Sequence, residues 1–516
     1  MNRRQFLKLS SLVSFLSLPL HVQPPRLPIS NPDARNILIV VFDAFSAKNI
    51  PFYGYPRNTT PNLNKLLDKA IVYHNHYAAG NYTTPGTASL LTGTYPWTHR
   101  AINLGDQVIP KLLQNNIFNL LDDYYRICYT HNTYANIFLQ QFIKDIQHYQ
   151  NPESLYLTKH WLSEIINKDL DIAKLSALRI LEQDRYSGNS LFIKRFSSSG
   201  IYQQMVTRNQ QELLNKYEPL FPNTLPRARE LDQTFDAITI EQAIDWLVLQ
   251  LNSTPQPFLT YFHLLPPHAP YRTRVDFDGS FSGDGFSMPH KPTHVLLEGF
   301  DKNRAEKYVQ ALQQYDEFIL YVDSEFKRLY DQLQSSGLLH NTIVILTSDH
   351  GEMFERGYHF HNHETLHQPV IQVPLVIFDP DIPQRVDIHQ QTSAVDILPT
   401  LAALNDLPFP QFTVGQVLPP YSKETSTQDI FALQAEGNSP KHRIKAASAM
   451  IVREDLKLTY YFGYPALRDN DPYIELYNIA DDPEEMENLY HPNDIRVKEM
   501  LESLLSKMEK SEKLYT

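Results

Sequence analysis

The feature that most constrains the fold is a set of short apolar runs separated by helical patterns. Residues 36–42, N-I-L-I-V-V-F, form a continuous β-branched run that is typical of a strand buried on both faces of a parallel sheet. Similar runs cover residues 126–130, 257–262 and 342–347, whereas residues 302–333 repeat apolar side chains at helical spacing. Strands that alternate with helices predict an α/β fold, with a mixed, mostly parallel sheet flanked by helices.

Polar residues follow directly after these runs. In chain order they are Asp43, then His131 and Asn132, then His263 with His268 shortly after, and finally Asp349 and His350. Because ligands bind beyond the carboxyl ends of the strands in such sheets, we expect these side chains to converge on one site. Carboxylate and imidazole groups suit a single divalent cation, which could be Mg, Mn, Ca or Zn.

Residues 81–93, N-Y-T-T-P-G-T-A-S-L-L-T-G, are a candidate nucleophile segment. Pro85 suits the first turn of a helix, Thr84 is a natural N-cap, and Gly93 ends the pattern. Thr83 is then left beside the amides of a helix N-terminus, where a phosphate or sulfate group binds readily. Its hydroxyl could attack such a group if a cation lowered its pKa. The alternative is that both threonines only cap and turn the chain.

The charge and cysteine content of the chain limit its possible partners and covalent cross-links. The formal net charge of −12 disfavours nucleic acid as a partner. Cys128 is the single cysteine, which excludes an intramolecular disulfide and predicts a small buried strand residue.

The N-terminus predicts export. Arg3 and Arg4 precede Phe6, Leu7 and Lys8, and residues 9–22 form an apolar run too short for an ordinary membrane span. This pattern resembles a twin-arginine signal in residues 1–30 and predicts a periplasmic, extracellular or membrane-anchored protein, with membrane association through this segment. The alternative is a frayed basic N-terminus.

An ordered series of motifs resembles the sulfatase branch of the alkaline-phosphatase superfamily. The motifs are N-I-L-I-V-V-F-D-A (36–44), F-Y-G-Y-P-R-N-T-T-P-N-L-N-K-L (52–66), T-T-P-G-T-A-S-L-L-T-G (83–93), Y-P-W-T-H (95–99), Y-F-H-L-L-P-P-H-A-P-Y (261–271), T-S-D-H-G-E (347–352), V-P-L-V-I-F (373–378), V-D-I-L-P-T-L (395–401) and E-L-Y-N-I-A-D-D-P-E-E-M-E-N-L (475–489). The resemblance implies an alkaline-phosphatase-like catalytic domain over residues 34–400, with a helical insertion or lid at about 140–229. It also implies a small antiparallel C-terminal subdomain over residues 401–516.

The resemblance also implies roles for individual residues. The implied metal ligands are Asp43, Thr83, Asp349 and His350. Thr83 stands at the nucleophile position, and His268 contacts the anionic group of the ester. His363 falls where many sulfatases carry a sulfate-binding lysine, so it is a second candidate contact or acid. Because it lies in H-F-H-N-H-E (359–364), any of the three histidines in that stretch could serve instead. Asn132 and His263 are further candidate substrate contacts, with structural hydrogen bonding as the alternative.

The departures from the sulfatase pattern point to different chemistry. Sulfatases oxidise a Cys or Ser at the nucleophile position, whereas this chain has Thr83, and Thr87 and Ala44 replace an arginine and an aspartate of the pattern. Threonine at this position resembles the phosphodiesterases and phosphotransferases of the superfamily. We therefore expect a metal-dependent hydrolase or transferase that acts on phosphate esters of small molecules, lipid head groups or glycans. The alternatives are a sulfatase that works without formylglycine and a catalytically silent binding protein.

Overall fold

The computed structural model describes residues 34–155, 218–221, 237–297, 305–422 and 428–513. The predicted export signal and most of the predicted insertion, including residues 156–217, lie outside these ranges. Among the helices within them, none is both long enough and apolar enough to span a bilayer.

The larger sheet of the described chain has eight strands in the order β4-β3-β5-β1-β6-β7-β2-β8. Their bounds are β1 Asn36–Phe42, β2 Ile71–Tyr77, β3 Tyr125–Thr130, β4 His148–Tyr149, β5 Phe258–Leu264, β6 Thr342–Thr347, β7 Leu375–Phe378 and β8 Val386–Ser393. Strand β7 runs antiparallel to its neighbours β6 and β2, and the other pairings are parallel. The predicted mixed, mostly parallel sheet is therefore confirmed.

Helices cover both faces of this sheet. The α-helices of the described residues are α1 Pro61–Leu66, α2 Thr83–Thr92, α3 Pro96–His99, α4 Ile117–Leu120, α5 Thr133–Gln141, α6 Ile240–Ser253, α7 Ala305–Ser335, α8 Gln368–Ile371, α9 Ile397–Ala403 and α10 Ile495–Glu512. Side chains of β1 alternate between two apolar cores because successive residues of a strand point to opposite faces. Val40 packs in the core that includes α6 and α7, and Val41 packs in the core that includes α2 and α9. A strand with two buried faces needs the continuous apolar run seen in the sequence.

A second, antiparallel sheet follows in the C-terminal part. Its strands are β9 Ile430–Gln434, β10 Ala447–Arg453, β11 Leu456–Phe462 and β12 Tyr473–Asn478. Phe431 of this sheet packs against Tyr95 and Trp97, with ring centroids 5.6 and 5.8 Å apart. A buried ion pair adds a polar connection, because Lys457 Nζ lies 2.5 Å from Glu485 Oε1 and also donates to the Leu366 carbonyl. This sheet therefore packs against the start of α3 and holds the segment just before α8.

Buried histidines make the fold sensitive to acid. Burial lowers the pKa of His76, His99 and His294 to about 3. These values lie below the unfolded value of about 6.5, so the neutral imidazoles stabilise the fold above pH 6.5 and this stability is lost as the pH falls. At pH 5 each histidine should lower the free energy of unfolding by roughly 2 kcal/mol. Urea unfolding at pH 7 and pH 5 measures the loss.

A variant of His76 isolates the contribution of this histidine to the loss of stability in acid. His76 Nδ1 lies 2.9 Å from Thr392 Oγ1, and an asparagine can keep that hydrogen bond without titrating. The His76→Asn variant should therefore lose less stability between pH 7 and pH 5 than the unchanged protein. An identical loss would show that His76 is not a source of the acid sensitivity.

Candidate active site

Three buried side chains meet where the central strands end. Asp43 directly follows β1, His263 lies near the end of β5, and Asp349 comes shortly after β6. His263 Nε2 lies 3.3 Å from Asp43 Oδ2 and 3.9 Å from Asp349 Oδ2. Ligand atoms of all three residues lie within 4.8 Å of one another, which is close enough for them to share one metal ion. His263, predicted as a substrate contact, thus lies among the candidate ligands.

His350 completes this group. Its Nε2 lies 3.2 Å from Asp43 Oδ1, while its Nδ1 pairs with the Gly351 carbonyl oxygen at 2.9 Å. The backbone contact fixes the ring so that Nε2 faces the carboxylates, which is how metal-binding histidines are commonly oriented. Tyr261 does the same for His263, since its hydroxyl lies 3.0 Å from His263 Nδ1.

The electrostatics of the group favour a cation. Burial and the charge of Asp43 raise the pKa of Asp349. Burial opposes ionisation of Asp43 too, but the charge of His268 and the hydrogen bonds of His263 and His350 hold its pKa well below its usual value. Burial also lowers the pKa of His350, but Asp349 and Asp43 outweigh this effect and raise it to about 9. Two buried carboxylates thus face each other and draw positive charge to the site.

The donor set fits a divalent metal ion. Carboxylate oxygens and imidazole nitrogens are ligands for Mg, Mn, Ca or Zn. Asp43 Oδ1 is buried and lacks a hydrogen-bond partner among the described residues, although His350 lies close to it. A buried carboxylate oxygen without such a partner is costly unless an ion or another charge satisfies it.

Thr83 lies beside this group. Its Oγ1 is 3.3 Å from His350 Nε2 and 3.4 Å from Asn132 Nδ2. Asn132 also donates from Nδ2 to Asp43 Oδ2, while its Oδ1 caps helix α5 by accepting from the amides of Tyr134 and Ala135. The structure therefore brings Asn132, Asp43 and His350 together, in line with the strand-end argument. It also brings Thr83 to them, which the resemblance implies.

The predicted helix cap in this segment is wrong. Helix α2 begins at Thr83, its N-cap is Tyr82, and no side chain caps it. The Thr84 hydroxyl is instead buried without a hydrogen-bond partner in the described chain. Because the first turn of a helix leaves its amides unpaired in any case, Pro85 fits as the third helical residue and the helix can begin earlier than expected. Gly93 ends the helix in the left-handed conformation, as predicted.

Gly86 allows this helix to approach the metal ligands. A Cβ at Gly86 would lie 2.1 Å from the Asp349 carbonyl oxygen. The hydroxyl of the next residue, Thr87, donates from Oγ1 to Asp349 Oδ2 at 3.3 Å. The threonine that replaces the arginine of the sulfatase pattern therefore orients a metal-ligand candidate.

Substituting Gly86 tests this close approach. We expect Gly86→Ala to destabilise the fold by about 1–3 kcal/mol, because the backbone of α2 or of Asp349 must shift. Such a shift separates Thr83 from Asp349 and should reduce divalent-metal affinity. Thermal unfolding with and without metal measures both effects.

Gly279→Ala is the matched control for Gly86→Ala. Gly279 has a φ of +76°, but its Cβ would meet no atom within 4 Å. The control should therefore lose some stability and keep its metal affinity. Equal metal affinity in both variants would contradict the role given to Gly86.

Two histidines lie on the other side of His350. The His268 ring is 6.2 Å from the His350 ring and 4.7 Å from that of His361. The His361 ring is 4.3 Å from the His350 ring, and its Nδ1 lies 3.0 Å from Glu352 Oε1. The structure thus brings the predicted residue His268 to the site together with His361.

The contacts of His363, which the sequence favours for the second contact, lie within its own loop. Its Nδ1 accepts from the Thr365 amide at 3.1 Å, and its ring packs on Tyr358 at 4.8 Å. Burial lowers its pKa to about 3. Histidines alternate with other residues in H-F-H-N-H, and this pattern does not show which histidine points toward the site. The sequence alone could therefore not separate His361 from His363.

His131 is structural. Its Nε2 accepts from the Leu265 amide at 3.1 Å, and burial lowers its pKa to about 3. It therefore holds the chain that leads from β5 toward His268.

Comparisons with known proteins identify the family of this chain. Residues 35–407 match the sequence model of the Sulfatase family. The chain is 24% identical over 390 residues to an ulvan-active sulfatase of Formosa agariphila. This match covers 75% of this chain and 65% of that protein. It is 23% identical over 524 residues to an N-acetylglucosamine-6-O-sulfatase of Bacteroides thetaiotaomicron, covering 93% of this chain and 86% of that one.

The fold resembles that of solved enzymes. A phosphonate monoester hydrolase of Agrobacterium radiobacter superposes with a TM-score of 0.64 at 18% identity, covering 92% of this chain and 96% of that one. The buried Asp43, His263 and Asp349 group lies inside the region matched by the family. The chain belongs to the sulfatase family of the alkaline-phosphatase superfamily, whose members include ester hydrolases.

Proposed function

We propose that the chain is a metal-dependent hydrolase or phosphotransferase in which the unmodified hydroxyl of Thr83 attacks an ester of a tetrahedral phosphorus oxyanion. The observation that carries this proposal is the position of Thr83 Oγ1, 3.3 Å from His350 Nε2, beside the buried carboxylates. Threonine has one hydroxyl and cannot form the aldehyde hydrate on which sulfatases depend. Phosphorus esters suit a single hydroxyl because a second in-line displacement can release the product.

Asp43, His263, Asp349 and His350 would hold the metal ion. When bound, a divalent ion lowers the pKa of a coordinated hydroxyl and neutralises charge on the substrate oxygens. The protein contributes the orientation, since Asn132 donates to both Asp43 and the Thr83 oxygen. This contact, at 3.4 Å, would help to hold the Thr83 oxygen in place.

His268 is the residue that would act directly on the substrate. In the first step a bond forms between Thr83 Oγ1 and phosphorus, the Thr83 proton passes to solvent, and the bond from phosphorus to the leaving-group oxygen breaks. His268, whose ring lies 6.2 Å from that of His350, would hold an anionic oxygen or give the leaving group its proton. In the second step water or an acceptor alcohol bonds to phosphorus and gives up a proton, the bond from phosphorus to Thr83 Oγ1 breaks, and the Thr83 hydroxyl takes up a proton.

Sulfate esters are the second candidate substrate. This alternative is supported by the family match and by the sulfatases among the relatives, including one described as ulvan-active. The phosphonate monoester hydrolase among the solved structures supports the phosphorus chemistry only through its fold. A glycan could carry either the phosphorus ester or the sulfate ester.

One assay separates these functions. Purified protein with Mg, Mn, Ca or Zn is offered the 4-nitrophenyl esters of phosphate, methyl phosphate, phenylphosphonate and sulfate. Turnover of a phosphorus ester that exceeds turnover of the sulfate supports the proposal. Turnover of the sulfate alone replaces it with the second candidate, and metal binding without any turnover indicates a silent homologue.

We also propose that residues 1–30 direct export by the twin-arginine route. The proposal is supported by Arg3 and Arg4 and the apolar run after them. Replacing both arginines with lysine should retain the protein in the cytoplasm of a host that has this route. Unchanged export would contradict it.

A further inference from the structure

Phe360 has an unusual backbone conformation at the edge of the site. Its φ is +123°, a region that residues with a side chain rarely adopt. Backbone strain of this kind persists only where the surroundings enforce it, and it concentrates at ligand-binding sites. Phe360 lies next to His361, which packs against His350.

The surroundings do enforce this conformation. The Phe360 amide donates to the Met353 carbonyl oxygen at 2.9 Å. Asn81 Nδ2 donates to the carbonyl oxygens of His361 and His363 at 2.9 and 2.8 Å. Because Asn81 is buried two residues before Thr83, the strained loop is held directly by the nucleophile segment.

The conformation places the Phe360 ring over the two histidines of the site. The ring stacks on His361 with centroids 4.1 Å apart and an angle of 24°. It also meets His268 edge-on at 5.6 Å. His268 and His361 are both 3% exposed, whereas Phe360 is only partly buried. Phe360 is therefore an outer aromatic layer on His268, the proposed substrate contact, and on its neighbour His361.

We propose that Phe360 determines specificity by packing against a flat, apolar face of the substrate next to the oxyanion. This inference rests on the proposed function and adds a substrate class, namely esters whose leaving group is an aryl ring or presents the apolar face of a sugar ring. A stacked aromatic pair gains from both apolar burial and ring geometry. We expect the ring to strengthen binding of such a group by about 10- to 100-fold.

Binding of two non-hydrolysable probes tests the proposal without requiring turnover. Phenylphosphonate and methylphosphonate share the oxyanion and differ in the flat group. Calorimetric titration of the metal-loaded protein should show at least about 10-fold tighter binding of phenylphosphonate. In Phe360→Gly, which tolerates a φ of +123° and so keeps the loop, this preference should fall below about 3-fold, while methylphosphonate binding changes little.

Two further variants complete the test. Phe360→Tyr keeps the ring and should keep the preference, and Phe409→Ala removes a phenylalanine that is 46% exposed outside the site and should also keep it. No preference in the unchanged protein, or a full preference in Phe360→Gly, would overturn the proposal. If phenylphosphonate preference is present but no ester is turned over, the proposed catalytic function fails and the role of Phe360 stands.

Discussion

The Thr83→Ala variant should lose ester turnover, with kcat lower by at least about 10⁴-fold. The reason is that Thr83 Oγ1, 3.3 Å from His350 Nε2, is the proposed nucleophile, and alanine offers no atom to attack the ester. Initial rates with the preferred 4-nitrophenyl ester measure this effect. Metal affinity should fall much less than kcat, because Asp43, His263, Asp349 and His350 are unchanged.

Thr83→Ser is the matched control. Serine keeps the hydroxyl and loses only the methyl group, so the variant should retain most of the turnover. If Thr83→Ala kept more than about a tenth of the rate, the hydroxyl would not be the nucleophile. In that case a metal-activated water would be the better account.

Asp43→Asn should abolish both metal binding and turnover. The substitution removes the negative charge of a residue whose carboxylate contacts His263, His350 and Asn132. A ligand at 100 times its Kd adds about 2.7 kcal/mol to the free energy of unfolding, so saturating metal should raise the Tm of the unchanged protein measurably. The variant should show no such increase, and chelation should abolish the turnover of the unchanged protein reversibly.

Asp323→Asn provides a control at another buried aspartate. Asp323 accepts from the amides of Asn62 and Leu63 and lies outside the metal group. This variant should lose stability, because an amide is a weaker acceptor, but keep the metal-dependent rise in Tm. An equal rise in Tm for Asp43→Asn would contradict the assignment of Asp43 as a ligand.

Much of the fold could be predicted because its signals are local. The run over Asn36–Phe42 matches β1, since a strand buried on both faces requires continuous apolar side chains. Thr342–Thr347 matches β6, and the helical spacing in residues 302–333 corresponds to α7, Ala305–Ser335. The convergence of Asp43 and Asp349 followed from the parallel arrangement of these strands. Cys128 is buried in β3, as expected.

The remaining features depend on contacts between distant segments. The sequence could not show that Gly86 touches the Asp349 backbone, because the two residues meet only after the sheet has formed. The choice between His361 and His363 depends on how Asn81 holds their loop. The predicted cap at Thr84 was wrong because tertiary packing, and not a side-chain cap, fixes the start of α2.

The central claim is that an unmodified Thr83 oxygen becomes bonded to the phosphorus of the substrate. The most direct measurement is a single turnover of the metal-loaded protein with the preferred phosphorus ester, quenched in acid and followed by mass analysis of the peptide that contains residues 81–93. The account predicts an intact threonine before mixing and a transient peptide that carries the phosphoryl group on Thr83 during turnover. Turnover with Thr83 unmodified at every time, or an oxidised residue at this position before mixing, would contradict it.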